Sequence, residues 1–227
     1  MAFIESLNRD GFVVVPGVLR AEQVAELTVD VEPLLQESAA GVRALAARVP
    51  NIYRLARSDA VRRLVEPVLG ADARLVRSIL FAKSVEANWQ VAWHQDLSIA
   101  VQQRAEVEGF GSWSMKDGTL HVQPPTRILE HMLTIRLHLD RADENNGALW
   151  LAPGSHRSGR IPASDAASTA ERLGKQLCAA NAGDALLFRP LALHASRKAI
   201  VDSPRRVIHL EFANVQLPAP LHWAESA

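Results

Sequence analysis

A single cysteine, Cys178, stands in 227 residues. One thiol cannot close an internal disulfide, build a zinc ribbon or hold an iron–sulfur cluster, so any metal must rest on imidazole and carboxylate ligands. Net charge is missing too, since 25 Lys+Arg balance 25 Asp+Glu. That argues against broad electrostatic binding to nucleic acid or anionic lipid, though not against a local charged pocket. No apolar run approaches the roughly 18 residues that a membrane span needs. The first residues, MAFIESLNRDGF, lack the basic start and apolar stretch of a secretory leader. A soluble, cytoplasmic protein without a nucleic-acid or membrane partner is the expectation. What is present is an ordinary globular composition, 48% hydrophobic and 22% charged, at a length that predicts one domain over 1–227 with a real core.

The chain changes texture near residue 72. Before it the pattern is helical. Residues 3–9 read as a short helix, and FVVVPGVL (12–19) as a β-branched strand broken by Pro16-Gly17. Val24, Leu27, Val31, Leu34 and Leu35 recur at spacings of three and four, which predicts a helix over 21–38 with a kink at Pro33. Two more helical stretches follow near 41–48 and 58–69, the second closed by Gly70. From residue 74 short β-rich runs take over, among them RLVRSILFAKS, MLTIRLHLD, DALLFRP and RVIHLEF, separated by turn signals such as Asn146-Gly147 and Gly183-Asp184. This spacing predicts an all-β barrel or double-sheet jelly roll over about 74–215. Ala163–Ala180 reads as a surface loop plus helix. The interval 102–126 has no clear element and holds three glycines and two adjacent prolines. A lid over a pocket and a plain surface excursion are its two readings.

Chemistry-bearing residues gather in the β region. His94-Gln95-Asp96 lies in a strand-like run, where residues two apart point the same way. One further imidazole would complete the two-His-one-carboxylate triad of non-haem Fe(II), which leaves open positions for a chelating cosubstrate and O2. Eight histidines and eleven aspartates would produce roughly 0.4 such triplets by chance. The triplet alone is therefore weak, and a buried His beside a turn-forming Asp is its plain alternative. His194 follows a strand at 185–189, and Arg205 stands eleven residues beyond it. An arginine fork suits a buried dianionic acid. An isolated arginine at a strand start is more often a surface charge.

Taken together, these passages resemble the phytanoyl-CoA dioxygenase family of Fe(II)/2-oxoglutarate-dependent oxygenases. DGFVVVPGVL, WHQD, NGALWLAPGSHRSGR and GDALLFRPLALHAS with SPRR carry the resemblance, in family order from about residue 10 to 212. It implies a mainly β protein with flanking helices, a double-stranded β-helix (jelly roll, cupin-like) with the N-terminal helices on one sheet. It implies Fe(II) on His94, Asp96 and His194, with 2-oxoglutarate and O2 as cosubstrates and the far carboxylate of 2-oxoglutarate on Arg205. Arg206 should face the other side of that strand. Lys83, Thr134 and Ser196 are further cosubstrate-binding candidates, and Gln95 and Trp93 are supporting neighbours of the metal pair. His156, in the Pro-Gly-Ser-His turn, is read as structural, and Cys178 as an inert thiol. His209, four residues after Arg205, falls on the interior face by alternation.

The activity so implied is oxidation of a C–H bond in a small molecule, coupled to decarboxylation of 2-oxoglutarate to succinate and CO2. Because Asp96 is present, hydroxylation is preferred to halogenation; desaturation, epimerisation and ring closure begin with the same hydrogen abstraction. No basic cluster for a CoA phosphate is evident, so an amino-acid derivative or secondary-metabolite intermediate is expected, with Trp89, Trp113, Lys116, His121 and Arg127 as substrate or lid candidates. Two other classes compete: a non-catalytic metal-binding jelly roll, and a cupin-type isomerase or hydrolase that needs neither 2-oxoglutarate nor O2.

Overall fold

The computed structural model describes residues 2–35, 41–83, 88–201 and 203–225. The chain opens with α1 (Ala2–Asp10) and β1 (Phe12–Val15). Gly11 joins them at a φ of +87°, and a Cβ there would lie 2.4 Å from Nδ1 of His156, so only glycine fits. α2 (Ala21–Val31) then passes directly into one 3₁₀ turn, Glu32–Leu34. Pro33 thus ends the α-helix rather than kinking it, because a proline has no N–H to continue the ladder. Positions 36–38 of the expected helix lie outside the described residues. Val42–Arg43 is a short strand, β2, and not helix as expected for 41–48. α3 (Leu45–Arg48), α4 (Pro50–Ala56) and α5 (Asp59–Leu69) follow. Pro50 opens α4 at its first position, where a missing N–H costs nothing.

The β region runs β3 (Arg74–Lys83), β4 (Val91–His94), β5 (Ile99–Val101), β6 (Gly111–Lys116), β7 (Thr119–Gln123), α6 (Thr126–Glu130), β8 (Met132–His138), β9 (Leu149–Leu151), α7 (Ala166–Leu173), β10 (Gln176–Cys178), β11 (Ala185–Phe188), β12 (His194–Ser196) and β13 (Arg205–Ala213). A six-stranded antiparallel sheet has the order β1-β11-β8-β13-β3-β2, and a four-stranded one the order β10-β9-β12-β4. The architecture is the jelly roll that the alternating short runs predicted. Among the described residues no helix is long and apolar enough to cross a membrane.

Strand alternation gives the large sheet two unlike faces. Leu133, Ile135, Leu137, Leu187, Ile208 and Leu210 form one core with Leu27, Val31, Ile52, Val61 and Leu64 of the helices. The opposite face carries Thr134, Arg136 and His138 on β8, Arg205, His209 and Glu211 on β13, and Lys83 on β3, all buried. A smaller apolar cluster of Phe12, Leu186, Phe188, Leu149 and Leu151 joins this face to the small sheet.

The interval 102–126 corrects the expectation of one long irregular loop. β6 and β7 form a hairpin, and β5 pairs with the other edge of β7. Asp117 and Gly118 turn the hairpin with φ of +47° and +75°. Two positive φ values in a two-residue loop are what a type I′ turn needs, and Asp-Gly supplies them. Only 102–110 remains without regular structure.

Candidate functional site

β4 and β12 are neighbours in the small sheet, and His94 stands directly opposite His194. Cross-strand partners bring side chains together, and the two imidazole centroids are 4.1 Å apart. Asp96 lies just past the end of β4, its N–H held by the carbonyl of Pro190 at 2.9 Å. Its carboxylate oxygens lie 3.9 Å from Nε2 of His94 and 3.6 Å from Nε2 of His194. These separations exceed a hydrogen bond, and the three donor atoms all fall within 4.8 Å of one another.

Each histidine is oriented by its own strand. Nδ1 of His94 meets the carbonyl of Ala92 at 2.8 Å, and Nδ1 of His194 that of Ala192 at 3.0 Å. A carbonyl only accepts, so Nδ1 carries the proton and the Nε2 lone pairs converge on Asp96. Burial lowers His194 to about 4 against the pull of Asp96, which leaves a neutral imidazole at physiological pH. Burial alone would raise Asp96, but His194, His94, His209 and Arg77 outweigh it and keep the carboxylate ionised. Two imidazoles and one carboxylate are the donor set of a two-His-one-carboxylate metal centre. Gln95, between them, locks the segment in place. Its amide donates to the carbonyls of Gly159 at 2.8 Å and Leu191 at 2.7 Å, and its oxygen accepts from Ile161 N–H at 2.8 Å. Trp93 packs on the other side, beside Ala166, Ala170 and Leu193.

These donors open onto a cavity of about 220 Å³, lined by Phe81, Trp89, Val91, Leu149, Ser196, Arg136, Arg205 and His209 as well. Arg205 is 3% exposed, and its Nε and Nη1 have no partner. Burial holds it down to about 10. Lys83, 1% exposed, stands opposite Arg205 on β3. Its ammonium donates to the carbonyl of Arg197 at 2.7 Å and reaches Ser196 Oγ at 3.5 Å, below the ring of Trp89. Burial, with Arg205 and Arg136 nearby, lowers it to about 8. Gly147 leaves room for this amine, since a Cβ there would sit 2.9 Å from it. Thr134 Oγ1 is buried without a partner on the same sheet face. Arg206 points the other way, onto Asp140 at 2.8 Å and Glu32 at 2.7 Å.

The remaining expected residues disperse. Trp113 packs in a separate apolar cluster and under Arg104, and Arg127 is exposed on α6, so neither joins the cavity. Their helix and hairpin positions turn them toward other neighbours. His121 is fully buried beside a second cleft lined by Arg43, Arg77 and Arg104; burial and Arg77 lower it to about 4. Lys116 is exposed near the hairpin turn, toward Arg77 and Arg43. His156 packs over Gly11, and burial pushes the Cys178 thiol up to about 12.

Two groups escaped the sequence reading. One is Arg136, although Thr134, Arg136 and His138 at every second position of an otherwise apolar strand are the period-two signal of a polar interior face. The other is the chain Arg77–Glu211–His209, with both links at 3.0 Å. Glu211 and His209 also group with Asp96. Arg77 already neutralises Glu211, so this second cluster is the weaker metal candidate.

A family model described as Phytanoyl-CoA dioxygenase (PhyH) matches residues 7–207. The ectoine dioxygenase of Nocardia farcinica is 26% identical over 251 aligned residues, covering 94% of this chain and 77% of that protein. That of Streptomyces avermitilis is 24% identical, covering 95% and 79%. Among solved structures, EctD from S. alaskensis with bound Fe is similar at a TM-score of 0.71 and 23% identity, over 92% of this chain and 74% of that one. The epimerase SnoN in complex with Fe3+, alpha ketoglutarate and nogalamycin RO gives 0.71 and 20%, over 94% and 82%. With most of its length matched by the family model, the chain belongs to the phytanoyl-CoA dioxygenase family of Fe(II)- and 2-oxoglutarate-dependent oxygenases.

Proposed function

We propose that His94, Asp96 and His194 ligate Fe(II), that Arg205 holds the far carboxylate of 2-oxoglutarate with Lys83 and Ser196 beside it, and that the enzyme hydroxylates a small molecule. The observation that carries this is the pairing of two features in one cavity. Three converging donors with free Nε2 lone pairs stand at one end, and a buried guanidinium without an anion at the other. An unpartnered buried cation is costly, and a dicarboxylate cosubstrate is what would relieve it. Bound iron and 2-oxoglutarate would supply the oxidation, turning O2 and the cosubstrate into succinate, CO2 and a hydroxylated product. The protein's own part is placement: the Ala92 and Ala192 carbonyls aim the two imidazoles, Gln95 fixes the strand between them, and Phe81, Leu149 and Val91 wall off water. Thr134 is a further cosubstrate-side hydroxyl on the same face.

The relatives' names support the substrate class of this reading. They are ectoine dioxygenases, which supports an amino-acid derivative. Trp89, at the cavity, is the substrate-side group of this reading, whereas His121 lines a separate cleft and Lys116 is exposed on the hairpin. We read the chain as one domain, since the helices and the large sheet share a core. The lone cysteine accords with a cytoplasmic enzyme.

The test is an anaerobic visible spectrum followed by turnover. Fe(II) plus 2-oxoglutarate should give a weak metal-to-ligand band, lost in His94→Ala. Its absence with iron shown to be bound overturns the reading. Succinate release against a panel of amino-acid derivatives, ectoine included, then identifies the substrate, and product analysis separates hydroxylation from desaturation, epimerisation or ring closure.

A further inference from the structure

Arg136 is the one arginine lining this cavity that the proposed function leaves idle. It is 7% exposed at the middle of β8, its Nε has no partner, and its guanidinium makes no hydrogen bond to any described protein group. Its neighbour is a ring, since Cζ stands 5.2 Å from the centroid of Phe81. The register fixes its level in the barrel. Arg136 lies opposite His209 on β13, whereas Arg205 lies opposite Lys83, four residues earlier on the same strand. Four residues of strand span roughly 13 Å. The His209 side chain groups with Asp96, their donor atoms within 4.8 Å, and the Phe81 ring meets the His209 ring edge-on at 5.4 Å. Arg136 therefore rises from the level of His209, nearer the converging donors, and Arg205 from the level of Lys83.

The charges point the same way. Lys83, Arg136 and Arg205 surround the cavity, and Asp96 is the one carboxylate that lines it. Lys83 already has a carbonyl and a hydroxyl. Two guanidiniums remain without anions, rising from levels four residues apart, and 2-oxoglutarate has two carboxylates to pair with them. Burial and Arg205 lower Arg136 to about 9, so the fold holds this cation at a cost.

We infer that Arg136 is a positioning residue for the cosubstrate, pairing with its metal-side carboxylate while Arg205 holds the far one. This rests on the cosubstrate site proposed above. It makes the pocket a two-ended clamp that selects an acid charged at both ends.

The experiment uses the Fe(II)-loaded enzyme under anaerobic conditions and two probes. One is 2-oxoglutarate. The other is 4-oxopentanoate, the same keto acid with a methyl group in place of the metal-side carboxylate. Arg136→Met should weaken 2-oxoglutarate binding, read by calorimetry, roughly 10- to 100-fold. It should leave 4-oxopentanoate, read by ligand-observed NMR, within about twofold. Arg205→Met should weaken both. Arg136→Lys, which keeps the charge but not the fork, should recover part of the loss. Melting of metal-free Arg136→Met at or above the wild-type temperature would show that the variant folds. The inference is overturned if Arg136→Met weakens both probes equally, which places the guanidinium at the far end or in the fold. It is also overturned if neither probe is weakened, which assigns Arg136 to another anion, such as a substrate carboxylate. Wild-type enzyme that holds iron but binds no 2-oxoglutarate would instead bring down the proposed function, and this inference with it.

Discussion

The two faces of the six-stranded sheet are made by alternate residues of the same strands, yet they obey different rules. On the helix side, Ile135, Leu137, Ile208 and Leu210 are fully buried among other apolar side chains. On the barrel side, Thr134, Arg136, His138, Arg205 and His209 are just as buried, and each has at least one polar atom without a partner. Buried polar groups are normally satisfied, and a cluster of exceptions calls for a reason. Burial therefore does opposite things on the two sides. It stabilises the fold on one, and on the other it keeps water off polar groups that lack a protein partner, at a cost in stability.

Substitutions on adjacent residues put this contrast at risk. The largest effect is expected from His194→Ala, which should abolish Fe(II) binding and turnover while the melting temperature stays near that of metal-free wild type; metal analysis and thermal melting check both halves. Leu210→Ala, one residue from His209 but on the helix face, should cost about 2–5 kcal/mol of stability in denaturant titration. The fraction that stays folded should bind 2-oxoglutarate normally. If instead Leu210→Ala changed affinity at constant stability, the division between faces would be wrong. Arg205→Met should do the reverse, weakening 2-oxoglutarate roughly 10- to 100-fold by calorimetry without lowering stability, because it removes an unpartnered buried charge. The smallest effect concerns pH. Burial and the nearby Arg205 and Arg136 hold Lys83 near 8, so below that value it is charged and helps hold a dianion, and above it binding must take up a proton. Affinity for 2-oxoglutarate should fall by up to about tenfold per pH unit above pH 8. Lys83→Arg should flatten this slope.

The helix face was legible in the sequence because apolar periodicity is what builds it. The recurrence of Val24, Leu27 and Val31 located α2, and the β-rich runs located most strands. The donor set was legible because His94 and Asp96 are two apart and His194 ends a parallel clue, the eleven-residue step to Arg205. Arg136 was not read, although the period-two spacing of Thr134, Arg136 and His138 marks a polar face, because that spacing does not say what the face encloses until β8 is flanked by β11 and β13. The hairpin at 111–123 was missed for a different reason. Glycines and prolines suggested one irregular loop, a lid or a surface excursion, yet Asp117-Gly118 was the turn signal itself. The approach of Glu211 and Arg77 to Asp96 depends on strand register across 134 residues, which no local pattern encodes.

One contact described earlier has a meaning beyond packing. Asp10-Gly11 and Pro153-Gly154-Ser155-His156 are far apart in the chain, yet the His156 ring fills the space a Cβ on Gly11 would take, and Gly154 N–H donates to the Asp10 carbonyl at 2.8 Å. The two passages work as one latch that fastens the N-terminal strand to the closing turn of the barrel. Neither half can drift alone over evolutionary time: any side chain at position 11 requires a smaller residue at 156. Two of the four passages by which this chain is recognisable therefore meet in a single mechanical joint, and the joint itself includes none of the three converging donors. A descendant could lose its chemistry entirely and still carry them.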